Sequence, residues 1–185
     1  MNSSITTRAK RIAGIYNMIA NLAWSCFFLI PMTVYCYSHL PIRLLWIFLI
    51  VSFLPGFFPR SFFRRLQVGT SPKPYKKIGV GFINRFTQNG DIINALIRKK
   101  FPGYKVVYPD QGTINRLMNQ SYLFEKFHFI ALLFFSELIV HAFIKAHFLW
   151  AVVFLICNVI YNVYPLLLQQ YIRLRLQVFK KRFAK

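Results

Sequence analysis

Tyr122–Phe143 reads YLFEKFHFIALLFFSELIVHAF, and this stretch sets the class of the fold. At ~1.5 Å of rise per residue a helix over it crosses the ~30 Å hydrocarbon core of a bilayer. Three other apolar stretches share its character: about Ile15–Tyr37, Ile42–Phe58 and Phe148–Leu168. The second is the shortest and ends in a Pro55-Gly56 break, so a bent or shallow span is expected there. Tight links at Ser38–Pro41 and Ile144–His147 join the stretches in pairs, giving two helical hairpins around a polar region, roughly Pro59–Ser121. The expected fold is all-α and integral to the membrane. It is a single domain over 1–185 with four transmembrane helices at about 15–37, 42–58, 122–143 and 148–168. A basic cytoplasmic region of short helices and turns fills 59–121, and a basic tail fills 169–185.

Composition agrees with that layout. The chain has 185 residues, 56% of them hydrophobic, with 24 Lys and Arg against 4 Asp and Glu, a formal charge of +20. The 21 Phe lie in long uncharged runs, which a nucleic-acid binder or a disordered basic tail does not carry. The cations are also placed asymmetrically. Arg8, Lys10 and Arg11 precede the first span, twelve Lys and Arg from Arg60 to Arg116 fill the central region, and Arg173, Arg175, Lys180, Lys181, Arg182 and Lys185 fill the tail. The tight links contribute little beyond Arg43 and Lys145. Positive loops stay inside, so a multi-pass protein of the cell membrane with both termini and the central region cytoplasmic is expected. The first apolar run is longer than a signal-peptide core and no small-x-small site follows it, so it is expected to persist as a span. Cys26, Cys36 and Cys157 lie in apolar spans without paired spacing and are expected to be buried structural thiols.

The central region mixes aromatic and basic residues. Phe57, Phe58, Phe62 and Phe63 alternate with Arg60, Arg64 and Arg65, a mixture suited to the headgroup layer. Residues 69–74 form a turn cluster, and Asn89-Gly90 is a turn signal. Asp91 is a candidate N-cap for a helix through Ile97, and Thr113 for one that runs on into the third span. Lys105–Tyr108 is expected to be a short extended piece. Gly79-Val80-Gly81 completes neither a dinucleotide fingerprint nor a Walker motif. The cations suit either anionic lipid or a phosphate-bearing substrate such as coenzyme A, and their spacing does not choose.

Polar groups within the spans are costly and mark pairing or function. Glu125 and His128 share a face near the cytoplasmic end of the third span; Glu137 and His141 lie nearer the other end and are expected to form structural interhelical contacts. In the fourth span Asn158, Asn162, Gln169 and Arg173 fall at i, i+4, i+11 and i+15, one helical stripe. The first span adds Asn17, Asn21 and Ser25, for which contacts to neighbouring helices are the plainer explanation. If these faces turn inward they form a polar pocket in the cytoplasmic leaflet beneath a cationic roof. A Glu near a His fixes one imidazole nitrogen and leaves the other as a base. Di-iron bundles also use ExxH but need more carboxylates than this chain has, so no metal or other cofactor is expected.

Glu125-x-x-His128, followed by Asn162-Val163-Tyr164-Pro165-Leu166-Leu167-Leu168-Gln169-Gln170-Tyr171-Ile172-Arg173-Leu174-Arg175, resembles the glycosyl-4,4'-diaponeurosporenoate acyltransferase family of staphyloxanthin carotenoid synthesis. The family pattern has an ExxH, then an Asn, a Gln, a Tyr-Asn-Arg and a further Arg; Ile172 stands here where the pattern has Asn. Tyr75-Lys76-Lys77-Ile78 and Asn89-Gly90-Asp91 fall where the family has an aromatic-basic stretch and an Asp/Gly turn. The resemblance implies transfer of a fatty acyl group to a sugar hydroxyl of a glycosylated membrane lipid, a glycosyl carotenoid among the candidates. On that reading His128 is the base and Glu125 orients it or holds substrate. Asn162 and Gln169 bind the sugar or the carbonyl oxygen, Tyr171 is a further substrate-binding residue, and Arg173 and Arg175 lie at the acyl donor's anionic end. The expected partners are a membrane lipid acceptor, acyl-CoA or acyl carrier protein as donor, and anionic lipids, with no nucleic acid. A non-enzymatic membrane scaffold binding anionic lipid and a small transporter using Glu137 and His141 are the alternatives.

Overall fold

A computed structural model describes residues 3–87, 90–102 and 111–183, and among them every regular element is helical. The long elements are α1 (Ser3–His39), α7 (Gln111–Ile144) and a rod made of α8 (Phe148–Asn158), a π-helical turn (Val159–Val163) and α9 (Tyr164–Phe183). Between α1 and α7 come α2 (Ile42–Phe53), α3 (Arg60–Arg65), α4 (Pro72–Lys77), α5 (Val80–Ile83) and α6 (Asp91–Lys100).

Three segments are long and apolar enough to cross a membrane: Thr7–His39, Gln111–Ile144 and Phe148–Lys181. The expected second span is shorter. It is α2 plus a 3-10 turn at Leu54–Phe57, where Pro55 and Gly56 end the regular helix, and together they cover ~26 Å. Its register against α7 is nevertheless antiparallel and extensive. The Gly56 carbonyl accepts from Lys126 Nζ at 2.8 Å, Ser52 donates to Glu137 at 2.8 Å, and Phe48 meets His141 edge-on.

α7 is the hub, packed on one side by the α8–α9 rod and on another by α2. The main core lies toward the hairpin links, where Phe28, Tyr35, Phe135, Leu138, Ala142 and Phe154 interlock. There Glu137 bonds Ser52 of α2 and His141 Nδ1 lies 2.9 Å from the Tyr35 hydroxyl of α1, so each partners a different helix. A second core forms at the other end, where Tyr75 and Val80 pack on Leu168, Tyr171 and Leu174 of α9. The left-handed backbone of Gly79 (φ +82°) turns α4 into α5 so that both reach α9. A third core is the apolar face of amphipathic α6, with Ile93 and Ile97 against Ala13 of α1.

Several local expectations change. Gly90, with extended backbone, is the N-cap position of α6, and Asp91 is its first helical residue, where its charge suits the helix dipole. α7 begins at Gln111, ahead of Thr113. Cys26 is exposed, Cys36 half-buried and only Cys157 buried; all three are free thiols. Phe63 is fully buried and meets Phe129 of α7, so α3 is docked on the bundle through that ring. Lys105–Tyr108 and Asn89 fall outside the described residues.

Candidate active site

The N-terminal half of α7 carries three side chains of the site one turn apart. Tyr122 and Glu125 are buried, and His128 is half-buried ~4.5 Å further along the axis. The Arg173 guanidinium of α9 lies 2.5 Å from the Glu125 carboxylate, and both side chains are wholly buried. An unpaired charge there costs several kcal/mol, which is why the two charges occur together. Arg173 also stacks over the Tyr122 ring at 4.1 Å, and Arg60 approaches the same ring at 5.4 Å.

Gln170 completes this network. Its Nε2 donates to Glu125 Oε1 at 2.9 Å, and its Oε1 accepts from the Tyr75 hydroxyl at 2.9 Å. Tyr75, brought in by α4, is fully buried, and burial pushes its phenol above the ordinary 10.0. It therefore stays a donor. Despite its short distance, the ion pair is poorly aligned: Arg173 Nε, Nη1 and Nη2 and Glu125 Oε2 make no well-formed hydrogen bond. Buried donors of this kind are expensive unless something accepts from them.

The second part of the site surrounds His128. Its imidazole lies beside the Asn162 side chain and the Tyr161 carbonyl, and its ring meets Tyr161 edge-on at 5.9 Å. Pro165 explains the carbonyl: it has no N–H to give the residue four back, which is Tyr161. Asn162 is fully buried; its Nδ2 donates to Asn158 Oδ1 at 2.8 Å, and Asn158 in turn donates to the Leu132 carbonyl and Ser136 of α7. Asn162 Oδ1 and His128 Nδ1 are buried without hydrogen-bond partners. Asn162 and His128 thus face each other without a well-formed hydrogen bond, beside the ion-paired network.

The structure brings Glu125, Asn162 and Arg173 to this end of the bundle as the stripe implies, with two differences. Gln169 is half-buried and gives its backbone carbonyl to Ser121, whereas the side chain that enters is Gln170. The π turn accounts for the difference. In an uninterrupted helix position 169 faces the same way as Asn158, and one additional residue in the turn moves that face on to 170. Glu125 also turns its carboxylate to Arg173 and Gln170, and the groups found beside His128 are Asn162 and Tyr161. Tyr171 packs in the core behind Tyr75, and Arg175 is exposed against the Tyr171 ring. Tyr75 and Tyr122 carry no sequence signal of their own; only their aromatic-basic neighbourhoods mark them. Among the described residues no group of three or more His, Cys, Asp or Glu is placed to hold a metal ion.

Residues 59–182 match the profile of the family described as glycosyl-4,4'-diaponeurosporenoate acyltransferase. The matched stretch begins just before α3 and takes in α7, the π turn and nearly all of α9, so every residue of the network lies within it. No curated protein and no solved structure matches the chain.

Proposed function

Because the chain belongs to the glycosyl-4,4'-diaponeurosporenoate acyltransferase family, we propose that it moves a fatty acyl group from a thioester donor to a sugar hydroxyl of a glycosylated membrane lipid, at the cytoplasmic face of the bilayer. The observation that carries the assignment is the half-buried imidazole of His128 standing one helical turn from Glu125, whose carboxylate pairs with the buried guanidinium of Arg173. His128 accepts the proton of the acceptor hydroxyl as that oxygen bonds to the thioester carbon. The carbonyl oxygen takes up negative charge, which the unfilled N–H groups of Arg173 are suited to meet. As the tetrahedral centre collapses the carbon–sulfur bond breaks, and the imidazolium returns its proton to the leaving thiolate. Asn162 and the Tyr161 carbonyl orient the imidazole. Glu125, Gln170 and Tyr75 fix Arg173 and are positioning residues. Arg175 and Arg60, nearer the surface, suit the anionic end of an acyl-CoA or acyl carrier protein donor.

The short α2 completes a fourth crossing in this reading, since its contacts follow α7 from Lys126 to His141, ~22 Å of the same layer. Both termini and the basic segment then lie in the cytoplasm, as the charge distribution favours. Lipid extracts from cells with and without the chain, compared by mass, test the reaction. A glycolipid species heavier by one acyl increment appears only with the chain; unchanged glycolipid masses contradict the proposal.

A further inference from the structure

The link from α3 to α4, residues 66–71, lies over the buried network. Phe63 anchors α3 on Phe129 of α7, and beyond it the backbone touches the network twice. The Leu66 carbonyl accepts from Gln170 Nε2 at 3.4 Å, and the Val68 and Gly69 amides lie beside the Tyr75 hydroxyl. Gln67 stands between these two attachments, so its backbone is held against the Gln170–Tyr75 pair from both sides. The side chains here alternate. Leu66 is 40% exposed and Val68 57%, whereas Gln67 is half-buried with its Nε2 sealed from solvent. Of the three, Gln67 is the one that turns inward.

That inward amide has no acceptor. Among the described residues eight buried side-chain N and O atoms lack a hydrogen-bond partner, and six of them belong to Glu125, His128, Asn162 and Arg173. Of the other two, His141 Nε2 lies at the opposite end of the bundle, and Gln67 Nε2 lies here. A buried donor left unpaired is costly, and an apolar group in its place relieves the cost. With the three unfilled nitrogens of Arg173, Gln67 makes this corner rich in donors. Its one unfilled acceptor, Glu125 Oε2, already faces Arg173. The complement is an oxygen that accepts several hydrogen bonds and offers none, which a thioester carbonyl becomes when a hydroxyl adds to it. A phosphate accepts equally well, but the Arg173 charge is balanced by Glu125 and the corner is shut off from water. An oxygen that is charged only in passing suits it better than a permanent anion.

We infer that Gln67 is the second donor of an oxyanion site, its Nε2 and the Arg173 guanidinium together holding the thioester carbonyl oxygen. As the acceptor hydroxyl oxygen bonds to the carbonyl carbon, its proton passes to His128 and the carbonyl π pair moves onto the oxygen between these two donors. When that pair returns, the carbon–sulfur bond breaks and the leaving thiolate takes the proton back from His128. The Tyr75–Gln170 bond then has a second use, because the same pair seats the link that carries Gln67. This rests on the reaction proposed above and names a further group that stabilises its charge.

The test uses the full chain in lipid nanodiscs, with palmitoyl-CoA as donor and monoglucosyl diacylglycerol as acceptor. Gln67→Met keeps the length of the side chain and removes its amide; Gln67→Glu keeps the shape and puts an oxygen where the donor nitrogen stood. Each is expected to lower kcat by ~10²-fold, the loss of one oxyanion donor. KM for palmitoyl-CoA should stay in place, because the carbonyl oxygen takes up charge only after binding. The melting temperature of Gln67→Met should equal or exceed that of the wild type, since an unpaired buried donor is gone. Undiminished kcat in Gln67→Met overturns the inference. So does a raised KM at unchanged kcat, the pattern of a phosphate contact, and so does a fall in melting temperature that accompanies the fall in kcat, the pattern of a structural glutamine. A wild-type chain that transfers no acyl group overturns the reaction and this assignment with it, whereas transfer by the wild type and both variants alike overturns the assignment alone.

Discussion

Glu125 of α7 and Arg173 of α9 form an ion pair that solvent does not reach, with 2.5 Å between guanidinium and carboxylate. Two charges in such a place rarely add stability over a well-packed apolar pair, so their presence argues for use. Removing only one is costly, because the other is left buried and unpaired. Glu125→Ala is expected to lose ~3–5 kcal/mol of stability, read as a lowered melting temperature in detergent. Combining it with Arg173→Met should recover much of that stability without recovering acyl transfer. A Glu125→Ala protein that melts with the wild type contradicts the pairing.

Arg173→Lys separates an enzyme from a lipid-binding scaffold. Lysine keeps the charge but loses the planar group that lies 4.1 Å over Tyr122 and the fork that faces Glu125. Acyl transfer should fall by ~10-fold or more, a loss equivalent to ~1.4 kcal/mol or more of transition-state stabilisation, at nearly unchanged membrane content. A scaffold that needs only positive charge would be indifferent to the change.

Tyr75 carries a pH signature. Its phenol is held above the ordinary 10.0 by burial, so the folded state keeps its proton where the unfolded chain begins to release it. The contribution is intact below about pH 10, and stability declines as pH rises beyond that toward the folded-state value. Tyr75→Phe removes the hydrogen bond to Gln170, costs about 1 kcal/mol at neutral pH, and should flatten this alkaline decline. Melting curves of the two proteins across pH 8–11 check the sign: the gap between them narrows with rising pH. A gap that widens contradicts the buried, donating phenol.

Much of this arrangement is legible in the sequence because membrane spans leave few polar residues to explain. Glu125, His128, Asn162 and Arg173 stand out against their apolar runs, and helical depth arithmetic brings His128 and Asn162 to one level. Gln170 was beyond that arithmetic. The π turn at Val159–Val163 has no composition cue, and it moves the inward face from 169 to 170. Tyr75 was equally hidden, since it reaches Gln170 only through the docking of α4 on α9, a tertiary event. The second span is legible both as apolar and as the shortest, because the Pro55-Gly56 break that ends its regular helix stands in the sequence.

The most direct test concerns His128. Wild-type and His128→Ala proteins, reconstituted at equal content in vesicles with a thioester donor and a glucosyl-lipid acceptor, are compared by mass spectrometry for acylated product. Loss of a general base predicts a rate lower by ~10²–10⁴-fold, with the same insertion and melting behaviour as the wild type. A His128→Ala protein that acylates the lipid at the wild-type rate contradicts the account.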